Sequence, residues 1–133
     1  MLDYRYVYVF KVRGKQLYKI GISKDWRIRR YQVEDTRSMR MRLRLLIAVP
    51  LFFASKVEKK LHRKFKSQRK KLKGVSGGTE FFELNGYDGR IGLRGELLKY
   101  FALQLIFLIL LFMTIGLSIL DLDWEEYIKA MLN

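Results

Sequence analysis

Hydrophobic and polar positions alternate along three stretches in the first half of the chain, which is typical of β-strands. Residues 4–12 and 16–23 are rich in Tyr, Val and Ile and are joined by a glycine-containing turn, so they predict an antiparallel hairpin. Residues 39–49 alternate most strictly, with arginines on one side and Met or Leu on the other. Pro50 is expected to end this third strand, because proline lacks the N–H that a strand ladder requires.

Two further stretches follow the helical period instead. Residues 25–34 predict a first helix, preceded by polar residues that can cap its N-terminus. Residues 54–71 carry apolar side chains on one side and Lys or Arg on the rest, which predicts a second, amphipathic helix. Residues 79–84 indicate a short strand or an extended packing segment, and the four glycines among residues 85–95 indicate a linker.

A continuous apolar run, Tyr100–Leu120, comprises 21 residues without a single Asp, Glu, Lys or Arg. A helix of this length extends about 30 Å, close to the thickness of the hydrocarbon core of a bilayer. The run therefore predicts a transmembrane helix. The alternative is a buried core helix or a helix at an oligomer interface, but the 99 residues before the run offer little core to cover it on every side.

Charge is distributed unevenly around this run. Residues 1–99 contain 26 of the 27 Lys and Arg residues and nine acidic residues, a net charge of +17, whereas residues 121–133 carry a net charge of −3. Since positively charged flanks stay on the cytoplasmic side, we expect a single-pass membrane protein with its N-terminal domain in the cytoplasm and its C-terminus outside. The expected organisation is a domain at 1–84, a linker at 85–99, a transmembrane helix at 100–120 and an acidic tail at 121–133.

Composition narrows the chemistry and the class of partner. The chain has no cysteine, which excludes disulfides, thiolate metal sites and a cysteine nucleophile. The excess of positive charge predicts a polyanionic partner, either nucleic acid or anionic lipid headgroups. Ten Lys or Arg residues and one acid lie between Lys56 and Lys73, a density that favours contact with a polyanion over a merely solvated face. The alternating Arg40, Arg42 and Arg44 either follow a phosphate backbone or form a solvated face of the sheet.

The one acid within this basic segment is Glu58. It lies one helical turn before His62, the single histidine of the chain, so both side chains share a helix face. A carboxylate beside a potential base in a field of positive charge is able to hold Mg²⁺ against a phosphodiester. An ordinary solvated pair on a helix surface explains the same spacing, and spacing alone favours that simpler interpretation.

Five short motifs occur in an order that resembles the GIY-YIG nuclease superfamily, in its branch of phage DNA-binding proteins and meiotically up-regulated genes. Tyr6-Val7-Tyr8 corresponds to the GIY element and Lys19-Ile20-Gly21 to the YIG element, with lysine in place of its first tyrosine. Arg29 follows Gly21 by eight residues, the position of the family's arginine. The segments PLFFASKVEKKLHRKF and GGTEFFEL resemble the glutamate helix and the closing element. The resemblance covers residues 4–84, but the asparagine that many members carry has no clear equivalent.

The resemblance implies an α+β fold, a small three-stranded antiparallel sheet flanked by helices, to which the apolar run adds one C-terminal transmembrane helix. It also implies hydrolysis of DNA with a single Mg²⁺ or Mn²⁺ ion and no small-molecule cofactor. Glu58 would be the metal ligand, and Arg29 would stabilise negative charge on the phosphate. Tyr8 would be a general base or a water-orienting hydroxyl, with Tyr18 as its neighbour. His62 would be a base or would support the metal ligand.

Three functions are compatible with this sequence. The first is a membrane-tethered endonuclease that acts on DNA at the inner membrane surface, in the exclusion of viruses or in defence against them. The second is a non-catalytic, membrane-anchored DNA-binding module with the same fold. The third is a small membrane protein whose basic domain binds anionic lipid or RNA. The residues expected to contact DNA are Lys19, Arg27, Arg30, Arg40, Arg42, Arg44, Lys59 and Arg63.

Overall fold

The structure is a computed structural model that describes residues 2–35 and 41–132, with the backbone alone described at residues 121–124. Its strands are β1 (Arg5–Val12), β2 (Leu17–Ser23), β3 (Leu43–Leu51), β4 (Arg69–Lys70) and β5 (Phe81–Glu83). Its helices are α1 (Trp26–Glu34), α2 (Ala54–Lys64) and α3 (Leu93–Leu132). Met39 and Arg40, at the start of the predicted third strand, lie outside the described residues.

The described strands form one antiparallel sheet of five strands in the order β3-β1-β2-β5-β4. The predicted hairpin is confirmed as β1 and β2, and β3 pairs with the other side of β1. The prediction of three strands is wrong, since β5 and β4 extend the sheet beyond β2. These two strands contain three and two residues, which is too short for a period of two to appear in the sequence.

Two element boundaries also differ from the prediction. Pro50 lies inside β3, opposite Tyr6 of β1, rather than beyond the end of the strand. Proline is tolerated there because β3 is an edge strand, in which only one side is paired with another strand. The helix α2 ends at Lys64 instead of residue 71, since the buried Phe65 follows it and a short 3-10 turn leads from there into β4.

Side-chain alternation gives the sheet two apolar faces, each covered by helices. The helix α2 and the first turns of α3 cover one face, the α2 face, whose strand residues in the core are Val7, Val9, Tyr18 and Ile20. The helix α1 covers the other face, the α1 face, whose strand residues in the core are Tyr8, Phe10, Leu43 and Phe81. Complete burial of one such apolar side chain contributes roughly 1.5–3 kcal/mol. Adjacent positions of one strand therefore serve different faces.

The segment predicted to be a linker is helical and packs into the core. Asp88–Gly92 form a π-helical turn that leads directly into α3. Leu93 and Leu97, in the first turns of α3, are fully buried on the α2 face. A Cβ on Gly89 would collide with the ring of Tyr18, so this glycine serves close packing rather than flexibility.

The chain divides into two compact units, Met1–Phe101 and Ala102–Asn133. The second unit is the remainder of α3. Among the described residues, one helix, spanning residues 88–132, is long and apolar enough to cross a membrane, judged by its length and composition. The hydroxyls of Thr114 and Ser118 donate to carbonyls three and four residues earlier, at 2.8 and 2.9 Å, so the helix satisfies them without water.

Candidate active site

Tyr8 occupies space that the neighbouring strand leaves open. It lies opposite Gly21 in the β1–β2 pair, on the α1 face, and is 1% exposed. A Cβ on Gly21 would collide with the Tyr8 hydroxyl and would lie 2.7 Å from its Cζ atom. Glycine inside this strand therefore makes room for the phenol, whose ring stacks on Phe10 with centroids 4.4 Å apart.

Arg29 reaches the α1 face from the first helix. The Asp25 side chain caps α1 by accepting two backbone N–H groups of its first turn, at 2.8 and 3.4 Å, so the helix begins directly after β2. The Arg29 guanidinium then donates to Ser76 Oγ and to Gln32 Oε1, each at 3.1 Å. Held in this way, it lies close enough to Tyr8 to lower the pKa of the phenol, against the larger opposing effect of burial.

A buried ion pair that the sequence analysis did not identify lies beside these residues. Lys19 is fully buried and donates to the Gly77 carbonyl at 3.0 Å and to the Glu80 carboxylate. Burial lowers the pKa of Lys19, and the hydrogen bond to Glu80 opposes that effect. Gly77 has a φ of +65°, and a Cβ there would crowd Lys19, Glu80 and Arg29. The loop before β5 thus closes directly over the two cations.

The position of Lys19 corrects the prediction that it contacts DNA. Position 19 lies on the covered α1 face, and the ammonium group is occupied by Gly77 and Glu80. A lysine within an apolar strand needs a counter-charge when the strand is buried. That lysine, together with the acids of the segment TEFFEL, is the sequence signal that could have identified the pair.

Glu58 lies half-buried on α2 and interacts electrostatically with Glu80, Lys19 and Tyr8. Burial raises the pKa of its carboxyl group and the Glu80 carboxylate raises it further, whereas Arg5 and Lys19 act in the opposite direction. Glu58 also raises the pKa of Tyr8, although burial is the main reason that this pKa reaches about 12. Within the described part of the chain, no hydrogen bond or ion pair holds the Glu58 carboxylate.

A second polar network ties the N-terminal end of α2 to the start of β1. Asp3 accepts hydrogen bonds from the Arg5 Nε and Nη2 atoms, at 2.5 and 2.8 Å, and from the backbone N–H of Ser55 at 3.0 Å. The hydrogen bond from Arg5 is the largest cause that holds the pKa of Asp3 well below its usual range. The network fixes the first turn of α2, and Glu58 follows within one turn. No spacing in the sequence indicated it.

His62 anchors the other side of the same helix. Its Nε2 atom lies 2.9 Å from the Ile20 carbonyl oxygen, which requires that Nε2 carry a proton and donate. The strand β5 pairs with β2 only as far as Lys19, so the Ile20 carbonyl is available to the histidine. Burial lowers the pKa of His62 and thus favours the neutral ring. The geometry indicates a residue that positions α2, with Nε2 already engaged.

Tyr18 does not neighbour Tyr8 as predicted. Tyr18 directly precedes Lys19, whose position lies on the α1 face together with Tyr8. Because adjacent residues of a strand point to opposite faces, Tyr18 lies in the core of the α2 face. It is fully buried, and its hydroxyl donates to Gln16 Oε1 at 3.3 Å. The structure therefore places Tyr18 among the packing residues.

Most of the other cations predicted to contact DNA are on the surface of two helices. Arg27 on α1 is exposed, and so are Lys59 and Arg63 on α2. Arg30 is partly covered and forms an ion pair with Glu34 at 3.3 Å, one helical turn away. These four cations stay predicted contacts, and their exposure agrees with that role.

The arginines of the third strand lie elsewhere. Arg42 and Arg44 are exposed, and Arg44 pairs with Lys11 across β1 and β3. Lys11 alternates with core residues of the α1 face, so both side chains lie on the α2 face, opposite Tyr8. Arg40, the first member of the predicted ladder, lies outside the described residues.

The carboxylate of Glu58 is able to hold a single divalent ion as one ligand, but the described residues do not form a site in which several protein ligands surround a metal. In residues 2–35 and 41–132, no group of three or more His, Cys, Asp or Glu side chains is arranged to hold a metal ion. Mg²⁺ commonly binds one or two carboxylates and completes its shell with water and substrate phosphate oxygens. The Glu80 carboxylate is engaged by Lys19, which leaves Glu58 as the free carboxylate of the site. A bound cation would also offset the burial and repulsion that raise the pKa of Glu58.

Comparison with known proteins places the chain in a family. The T5orf172 domain, a phage-associated domain of the GIY-YIG/HNH-like nuclease-related group, matches residues 5–98. The match includes the first turns of α3, in agreement with the burial of Leu93 and Leu97. No curated protein and no solved structure matches the chain. Since the match covers well over half of the sequence, the chain belongs to the T5orf172 domain family and carries a nuclease-type domain.

Proposed function

We propose that this protein is a membrane-tethered, metal-dependent DNA endonuclease that acts on DNA at the inner membrane surface. The observation that carries the proposal is that Arg29 from α1 and Glu58 from α2 both act electrostatically on the phenol of Tyr8 in β1. These are the residues that the resemblance singles out for hydrolysis of a phosphodiester. Their membership of a nuclease-type domain supports the same reaction class.

Arg29 and Tyr8 are suited to act on the phosphate and on the attacking water. A guanidinium fixed by Ser76 and Gln32 stabilises the charge that develops on the phosphate oxygens without having to reorganise. The pKa of Tyr8, about 12, keeps its hydroxyl protonated at neutral pH. Of the two roles predicted for Tyr8, orienting water by a hydrogen bond is therefore favoured over removing a proton.

Glu58 would hold the divalent ion. When bound, Mg²⁺ or Mn²⁺ would supply Lewis-acid stabilisation of the phosphate. The bond from His62 to Ile20 and the Asp3–Arg5–Ser55 network fix α2 on either side of Glu58. The helix thereby presents the carboxylate with little freedom to move, which favours a defined geometry.

The proposed tether determines where the enzyme works. A long apolar helix and the strong positive charge before it support a single-pass anchor, with the basic domain in the cytoplasm and the C-terminus outside. Tethering raises the local concentration of the domain at the membrane, where viral DNA enters the cell. We propose a role in exclusion or defence. Equal survival of virus-challenged cells with and without the protein would contradict this role.

The first test is a nicking assay on the full chain in uncharged maltoside micelles. Wild-type protein should nick supercoiled plasmid with Mg²⁺ or Mn²⁺ and be inactive in EDTA. Glu58→Gln should lose at least about a hundredfold in rate, because metal stabilisation of the phosphate is worth several kcal/mol. Glu83→Gln is the matched control, since Glu83 is an exposed acid of β5.

A second candidate function is a membrane-anchored module that binds DNA without cutting it. The exposed cations Arg27, Lys59 and Arg63 favour this alternative, because contact with phosphates needs no metal ligand. In that case neither wild type nor variant nicks plasmid, and both retard duplex DNA equally in a gel. Removing charge between Lys56 and Lys73 would then abolish binding, in a salt-dependent manner.

A further inference from the structure

A pocket of about 440 Å³ lies at the end of the β1–β2 hairpin. Five cationic side chains line it, with no acidic one among the lining residues; they are Lys11, Arg13, Arg44, Arg90 and Arg94. Within the described part of the chain, none of these five forms an ion pair. Such a concentration of unpaired charge in a concave site favours a compact anion.

The pocket is built on ordered backbone. Lys11 and Arg44 are cross-strand partners in β1 and β3. The backbone N–H of Arg13 donates to the Arg42 carbonyl at 2.9 Å, which holds the hairpin end against β3. The Arg94 guanidinium donates to the Leu46 carbonyl through its Nε and Nη2 atoms, each at 3.3 Å. Strand pairing and helix packing thus bring the cations together before any ligand arrives.

This cationic pocket is separate from the candidate active site. Lys11 and Arg44 lie on the α2 face, whereas Tyr8 and the partners of Arg29 lie on the α1 face. Glu58 lies on α2, and none of the residues that line the pocket belongs to the candidate active site. Lys11, Arg13, Arg90 and Arg94 also have no part in the proposed hydrolysis.

We infer that the cationic pocket binds the phosphate of an anionic phospholipid headgroup. Arg90 and Arg94 belong to the helical segment that continues into the apolar run. Arg94 precedes Tyr100 by six residues, or about 9 Å of helix, which puts its long side chain within reach of the headgroup layer. The guanidinium forks suit phosphate oxygens, which accept two parallel hydrogen bonds. The inference rests on the proposed membrane tether and adds the ligand that holds the domain to the surface.

The test is a calorimetric titration that measures binding affinity. The full chain, in uncharged maltoside micelles, is titrated with dihexanoyl phosphatidylglycerol below its micellar concentration. Dihexanoyl phosphatidylcholine, inorganic phosphate and a short DNA duplex form the other arms. Lys11→Gln/Arg90→Gln should weaken phosphatidylglycerol binding about 25-fold, since each cation at an anionic lipid surface is worth about fivefold. Lys71→Gln/Lys73→Gln removes the same charge from exposed positions outside the pocket and should weaken binding less than about twofold.

Four results would overturn the inference. They are an equal loss in both double variants, no binding of phosphatidylglycerol, equal binding of inorganic phosphate, and a matching loss of duplex affinity in the Lys11/Arg90 variant. The last would assign the cationic pocket to DNA. Plasmid nicking by the same variant should stay at the wild-type rate, so failure of the lipid site is distinct from failure of the nuclease. Release of the chain from membranes by alkaline carbonate would contradict the tether independently.

Discussion

The Glu58 carboxylate lies half-buried and close to the Glu80 carboxylate, and burial followed by Glu80 raises its pKa above the ordinary value of 4.5. The folded domain consequently binds the Glu58 proton more tightly than the unfolded chain does. Stability attributable to this group is complete below pH 4.5 and decreases as the pH rises through the interval up to the raised pKa. Above that interval the carboxylate is ionised and opposes folding.

Glu58→Gln should therefore raise the thermal midpoint of unfolding at pH 7 while removing nicking activity. At pH 4, where wild-type Glu58 is protonated, the difference in midpoint should disappear. Melting curves of both proteins at the two pH values measure this. Glu83→Gln, which loses an exposed carboxylate paired with Lys70 at 3.3 Å, should not gain stability at pH 7. A lower midpoint for Glu58→Gln at pH 7 would contradict the argument.

At this scale the sequence predicted part of the candidate site. Tyr8, Arg29 and Glu58 were identified from motif positions, and in the structure Arg29 and Glu58 both act on the pKa of Tyr8. Their catalytic roles stay predictions. Tyr18 was misplaced because motif resemblance ignores the alternation of side chains along a strand. Glu80 was missed because its role depends on register: β5 places Phe81 opposite Lys19, and Glu80 next to it. Register between distant segments is not visible in local periodicity.

The buried ion pair joins Lys19 of β2 to Glu80 in the segment before β5, and its two side chains differ in their exposure to solvent. The Lys19 side chain is completely buried, whereas the Glu80 side chain is 30% exposed. If Lys19 is removed, water can still reach the Glu80 carboxylate. If Glu80 is removed, an ammonium group stays buried with only the Gly77 carbonyl as its hydrogen-bond partner. The second change leaves the larger uncompensated charge.

Glu80→Ala should lower the free energy of unfolding by about 3 kcal/mol, the cost of leaving one buried charge unpaired. Lys19→Met, which keeps the volume and removes the charge, should cost about 1 kcal/mol or less. Urea unfolding of the full chain in maltoside measures both values. The double variant should be more stable than Glu80→Ala alone. An equal cost for both single changes would show that the pair is not desolvated as the structure indicates.

At the level of elements, periodicity was reliable where an element is long enough for its period to repeat. It predicted β1, β2, α1 and the start of α2. Periodicity failed where the conformation of a segment depends on contacts with other parts of the fold. Pro50 continues β3 because the strand is at an edge, and Gly89 permits close packing against Tyr18 instead of belonging to a linker. Neither circumstance can be inferred from neighbouring residues in the chain.

For the whole molecule, α3 belongs to both units. Its first turns supply Leu93 and Leu97 to the α2-face core, and its remainder forms the apolar helix. A chain ending at Phe101 should therefore unfold cooperatively, whereas a chain ending at Gly92 should not fold. Loss of each buried leucine costs about 2–5 kcal/mol, against a total stability of about 5–15 kcal/mol. Circular dichroism during heating distinguishes the two products.

The same prediction is tested in the full chain by Leu97→Ala, with Leu98→Ala as its matched control. Leu97 is fully buried and Leu98 is 52% exposed. The first change should cost about 2–5 kcal/mol and the second less than about 0.5 kcal/mol. Equal costs would mean that the boundary of the domain lies before α3.

The placement of Leu93 and Leu97 has a consequence for biosynthesis. The last residues needed to close the core are synthesised immediately before the apolar run, and the 19 positions from Ala102 to Leu120 follow within about one to four seconds of translation. The basic domain therefore cannot finish folding long before the apolar segment leaves the ribosome. Folding of the domain and emergence of the apolar segment therefore coincide in time, so the folded domain does not long precede the segment that follows it.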